Sequence, residues 1–154
     1  MLNALILATL FGVKHLIGDY LLQLNGQSGR KRLDGIAGLK ALFVHSLYHG
    51  FITDYFMCCY FFFKGISGQW QLILGAALFD FGTHFAIDFT KVKIEKNLNQ
   101  QMCWYKNSVG LYVPLKLEKS NVKYRKTILI VDQVLHFLVY CVIILFVTKY
   151  TGVG

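Results

Sequence analysis

Four long apolar stretches run through the chain, near 2–24, 39–63, 68–90 and 127–149. Each reaches the roughly 20 residues a helix needs to cross a bilayer. The gaps between them are unequal. Residues 25–38 are short, polar and Gly-rich, residues 64–68 form a tight turn, and 91–126 is the one long connection. The first stretch has no basic leading segment and no small-residue cleavage site, and it carries His15 and Asp19. It is therefore expected to be a retained helix, not a signal peptide. In the long connection, 91–107 (KVKIEKNLNQQMCWYKN) mixes basic and apolar residues. That suits a helix continuing out of the membrane or lying along it, with Trp104 and Tyr105 at headgroup level. Around 110–117, Pro114 and alternating apolar residues fit either a short hairpin or an irregular segment. The expected fold is all-α: a single membrane domain over 1–154, built as a four-helix bundle with a long basic interfacial connection at 91–126.

Composition agrees with this pattern. Hydrophobic residues make up 55% of the 154 residues and charged residues only 16%, against about 25% in soluble domains. This excludes a disordered chain, a disulfide scaffold and an ordinary soluble α/β enzyme. The net charge of +8 would suggest nucleic acid in a soluble protein. Here the basic residues sit in the gaps between apolar stretches, so they read as topology signals and as affinity for anionic lipid headgroups, with no nucleic-acid role. Thirteen of the sixteen basic residues lie in or beside the first and third connections. Those connections are expected to be cytoplasmic, with both termini outside. Cys58, Cys59, Cys103 and Cys141 form no CxxC pair and give no sign of redox chemistry. The run Tyr60–Phe63 is expected to be a lipid-facing aromatic belt.

The candidate chemistry lies in polar residues at positions where a membrane helix resists them. All five histidines fall inside the apolar stretches, as do Asp19, Asp54, Asp80, Asp88 and Asp132. An aspartate at mid-helix costs about 2.5–3.5 kcal/mol to insert, so such groups face the bundle interior and carry function. Their spacing is regular: His15-x3-Asp19-x3-Gln23, His45-x3-His49, Asp80-x3-His84-x3-Asp88 and Asp132-x3-His136, with Lys91 three beyond Asp88. Residues at i and i+4 share a helix face. In an antiparallel bundle most of these groups fall about 5–15 Å from the cytoplasmic edge, taking 1.5 Å per residue.

Imidazole and carboxylate at one depth suit a divalent ion, zinc first and manganese or iron next. The metal-ligand set is His15, His45, His49, His84, Asp88 and His136. Asp19 or Asp132 is left as a general base. Gln23, Asp80 and Gln133 support the ligands, while Lys91 and Arg30 bind an anionic substrate. Lys14 either snorkels or pairs with an aspartate, and Asp54 is a locally satisfied polar group. For any single pair, a hydrogen bond between helices is the simpler explanation. Four such pairs at one depth favour a shared site.

The segments KHLIGDYLLQ (14–23), VHSLYHG (44–50), HFAIDFTK (84–91) and VDQVLHF (131–137) resemble the motifs of a bacterial and phage membrane family carried as a domain of unknown function. That resemblance covers all four stretches and points to a bacterial inner membrane, but implies no activity. The His/Asp-bearing helices are similar, more loosely, to the membrane-bound metal-dependent hydrolases, which implies His15, Asp19, His45, His49, His84, Asp88, Asp132 and His136 as site residues. The leading expectation is a hydrolase acting on a lipid-like, phosphorylated or ester substrate. A proton or divalent-cation path through the same layer, bis-histidine haem binding and a non-catalytic regulatory role are the alternatives. A homo-oligomer is compatible with each.

Overall fold

The computed structural model describes residues 2–21, 30–97, 104–106, 112–114 and 122–151. Helix α1 (Leu2–Leu16) runs into a π-helical turn at Ile17–Leu21. Helices α2 (Gly35–Phe63), α3 (Trp70–Asn97) and α4 (Val122–Thr151) follow. Between α3 and α4, strand β1 (Trp104–Lys106) pairs antiparallel with β2 (Tyr112–Pro114), Tyr105 opposite Val113. Of the segment at 110–117, only Tyr112–Pro114 is described, as strand β2, and the rest lies outside the described residues. Helix α3 continues past position 90 to Asn97, but Trp104–Lys106, expected within the same helical segment, is strand β1 instead.

The α2–α3 connection shows how local sequence sets the fold. Helix α2 ends on Lys64, and Gly65 follows at φ 65°. The Gly65 N–H donates to the Phe62 carbonyl and the Ile66 N–H to the Phe61 carbonyl, each at 3.0 Å. This is a Schellman stop, which needs a residue tolerant of left-handed backbone at the glycine position. Ile66 then packs back on the apolar core. The chain reverses and α3 lies antiparallel to α2, placing Thr53 opposite Asp80 and His49 beside His84. At Gly50 the helices come so close that a Cβ would sit 3.1 Å from the Phe81 Cβ and 3.2 Å from the Ala77 carbonyl.

Each helix touches two neighbours, giving the ring α1–α2–α3–α4. One half of the interior is apolar, built by Leu7, Phe11, Met57, Tyr60, Ile143 and Val147 among others. The other half is polar. His45 and His49 are 0% exposed, while Phe62 and Phe63 are 80% and 83% exposed. Water-driven folding sorts residues the opposite way. An apolar exterior around a polar interior is the arrangement a lipid solvent favours.

Among the described residues, three helices are long and apolar enough to cross a membrane, over Leu2–Asp19, Trp70–Glu95 and Lys126–Thr151. Helix α2 has the length, at 29 residues, but His45, Ser46, His49, Thr53 and Asp54 dilute its apolar content. The aromatic run is also split. Tyr60 and Phe61 are buried in the core, and only Phe62 and Phe63 face outward. Successive helical side chains point about 100° apart, so four in a row cannot form one outward belt.

Candidate metal centre

Helix α2 aims His45 and His49 inward from adjacent turns, and α3 brings His84 opposite them. The fourth contributor comes from α1. Its last turn widens into the π-helical segment Ile17–Leu21, which contains Asp19. Such π turns often mark functional positions. The neighbouring Gly18 is buried, and a Cβ there would run into the His49 ring. The missing side chain lets α1 approach α2 closely enough for Asp19 to reach both α2 histidines.

The resulting donor set is compact. Asp19 Oδ1 lies 3.2 Å from His45 Nε2, 3.3 Å from His49 Nε2 and 3.9 Å from His84 Nε2. His45 Nε2 and His84 Nε2 are 3.1 Å apart. Four donors placed tetrahedrally 2.0–2.1 Å from a zinc ion would be about 3.3–3.4 Å from each other. The observed spacings bracket that edge length. Asp19, His45, His49 and His84 thus form a group able to hold one metal ion. The chemistry of the donors agrees with this. His49 Nε2, the atom facing Asp19, makes no hydrogen bond of good geometry among the described residues although the ring is buried. An unmet buried nitrogen costs stability, and an ion held beside Asp19 would take up its lone pair.

A second group, His84, Asp88 and His136, shares His84 with the first. The His136 Nδ1 lies 2.8 Å from the Asp132 carbonyl oxygen. As donor in that bond, it leaves Nε2 bearing the lone pair, and Nε2 has no partner among the described residues. Asp88 is already bonded to Lys31 at 2.6 Å. Burial lowers the pKa of the Lys31 ammonium, and Asp88 opposes that shift.

His15 belongs to neither group. Lys14 Nζ donates to the Tyr140 hydroxyl at 3.1 Å, and that hydroxyl lies 2.9 Å from His15 Nδ1. His15 Nε2 is 3.0 Å from Asp19 Oδ2 and 3.1 Å from Gln133 Oε1. Both are acceptors, so Nε2 carries the ring proton and the Tyr140 hydroxyl donates to Nδ1. His15 therefore orients the carboxylate from behind. Its replacement by glutamine is expected to weaken metal affinity by about 10–100-fold while leaving the saturating stoichiometry unchanged in a titration. Loss of the ion at saturation would make His15 a ligand after all.

The remaining candidates are distributed as follows. Asp132 is bound by Lys91 at 2.7 Å and by Gln133 at 3.2 Å, outside both donor groups. Asp80 pairs with Lys14 at 2.5 Å and accepts from Thr53 at 2.7 Å. A cavity of about 210 Å³ opens beside Asp19, with Asp88, Asp132, Lys31, Arg32 and Lys91 in its lining. Arg30 is exposed and does not line it, so Lys31 and Arg32 are the basic residues of this connection that face the site. Gln23 lies outside the described residues. Tyr140, Thr53 and Gly18 carry roles that were not assigned from sequence. Tyr140 and Thr53 continue the i,i+4 rows of His136 and His49, which is the signal that would have found them. Gly18 has no such signal.

The chain belongs to a family described as a protein of unknown function (DUF3307), whose model matches residues 6–153. No curated protein and no solved structure matches it.

Proposed function

We propose that this family member is a membrane-embedded metal protein whose four helices all cross the bilayer, with the polar half toward the cytoplasm. Asp19, His45, His49 and His84 hold one divalent ion, zinc first and manganese or iron next. We further propose that the centre serves hydrolysis of a lipid-like substrate bearing a phosphoryl or ester group. The observation that carries the reading is the convergence of three buried imidazoles and one carboxylate whose donor atoms lie within 4.8 Å of one another. A bound ion of this kind acts as a Lewis acid toward a phosphoryl or ester oxygen and makes water more acidic.

The chain's own groups supply the rest. Asp132 lines the cavity, and its Oδ1 has no hydrogen-bond partner among the described residues. It is the proposed proton acceptor, held in place by Lys91. Asp19 moves from general base to ligand in this assignment. Lys31 and Lys91 face the cavity as cations for an anionic group, replacing Arg30 in that role.

The apolar cluster at the other end of the bundle weighs against a through-going ion path, since Leu7, Phe11, Met57 and Val147 fill it. His49 and His84 stack at 3.6 Å between ring centroids, which leaves no slot for a haem between them.

Elemental analysis of detergent-purified protein tests the proposal, alongside a His45→Ala/His49→Ala variant. The expected result is about one equivalent of zinc, manganese or iron per chain, lost in the variant. No metal in either protein, after purification without chelator and with metal added back, would sink the metal reading. Metal without turnover in a phosphatase and lipase screen would remove the hydrolase part alone.

A further inference from the structure

A second cavity adjoins the polar one. It is a groove of about 390 Å³ between α3 and α4, lined by Ala86, Ile94, Ile128 and Leu135 with other apolar residues. Lys91 and Asp132 line both spaces. The two therefore meet at one ion pair, polar on the metal-centre side and apolar on the other. Ala86, Val131 and Leu135 are exposed on the outer face of the bundle, so the groove opens sideways to the surroundings of the helices.

Charge fixes what the polar end accepts. Its lining has three carboxylates, Asp19, Asp88 and Asp132, against three cations, Lys31, Arg32 and Lys91. Arg32 is further neutralised by Glu95 at 2.8 Å. The cavity is thus charge-balanced or slightly negative on its own. A divalent ion at Asp19 turns that balance into excess positive charge beside a low-dielectric wall, where an anion is strongly favoured.

We propose that the substrate is a chain-bearing anionic amphiphile, with its phosphate-like head in the polar cavity and its alkyl chain in the α3–α4 groove. This rests on the metal reading above and adds the class and the seating of the substrate. A bilayer lipid reaches such a groove by lateral entry, without leaving the apolar phase. Lys91 stands where head meets chain and fixes the boundary between them.

The test uses the full chain in nanodiscs, with metal content measured on every sample. Octyl phosphate below its micellar concentration, inorganic phosphate and octyl glucoside are compared by calorimetry. Octyl phosphate is expected to bind at least about tenfold tighter than inorganic phosphate, and octyl glucoside not at all. Ala86→Trp fills the groove and is expected to bring the two phosphates to within about twofold while the ion stays bound. Removing the ion is expected to abolish binding of both. Should Ala86→Trp lose the ion, Ile94→Trp repeats the test further from the donors. A metal-loaded protein with equal affinity for both phosphates overturns the amphiphile proposal and leaves the metal centre standing. So does a preference that survives the groove-filling variants, since partition into the disc then explains it. Failure to bind metal at all overturns both readings.

Discussion

Gly18→Val is expected to lower metal affinity at least about 100-fold while leaving the helical content unchanged. The reason is steric. A Cβ at position 18 would overlap the His49 imidazole, with Cε1, Nε2 and Nδ1 all in its way. The ring is buried and stacked on His84, so it has little room to turn. Either His49 rotates out of the donor set or the end of α1 retreats from α2. Both moves separate Asp19 Oδ1 from His49 Nε2, now 3.3 Å apart, and a tetrahedral centre tolerates only a few tenths of an ångström. Overpacking of this kind also destabilises by about 1–3 kcal/mol. Gly12→Val is the control, because nothing lies within 4 Å of a Cβ there. Metal titration and circular dichroism on both variants check the expectation. Wild-type affinity in Gly18→Val would mean that the close approach of α1 does not set the centre.

That glycine marks what a sequence can carry and what it cannot. The i,i+4 rows of His and Asp are visible in one dimension because a helix face has a fixed period. Their common depth follows from counting residues from the connections. The rotation of each helix does not follow, and rotation decides the partners. Lys31–Asp88, Lys91–Asp132 and Lys14–Asp80 join residues 57, 41 and 66 positions apart. No periodicity distinguishes those pairings from others between the same stripes. His15 illustrates the consequence. Its type and spacing match a ligand, yet the Tyr140 hydroxyl occupies its Nδ1 and leaves a protonated Nε2 toward Asp19. The π turn at Ile17–Leu21, which carries Gly18 and Asp19, has no periodic signal of its own in the sequence. Helix α2 fell short as an apolar span because the residues that build the centre lower its hydropathy. The functional signal and the membrane signal compete on the same helix.

The Lys14–Asp80 pair provides the second large effect. Both side chains are essentially inaccessible, at 0% and 1% exposure, and their charged atoms lie 2.5 Å apart. Replacing Lys14 by methionine keeps most of the volume but leaves the Asp80 carboxylate buried, with Thr53 as its remaining partner among the described residues. Breaking a buried pair in this way costs about 3–5 kcal/mol. The double variant Lys14→Met/Asp80→Leu removes both charges and is expected to be more stable than Lys14→Met alone, with a coupling of at least about 2 kcal/mol. Unfolding of the detergent-solubilised protein, followed by circular dichroism, measures the cycle. Additive effects would show that the two charges do not stabilise each other. Metal affinity separates a second role from the first. Lys14 also donates to Tyr140, which holds the His15 ring that faces Asp19. The double variant is therefore expected to recover stability without recovering affinity, because restoring an apolar interior does not restore the proton donor. A pair that only held the helices together would restore both.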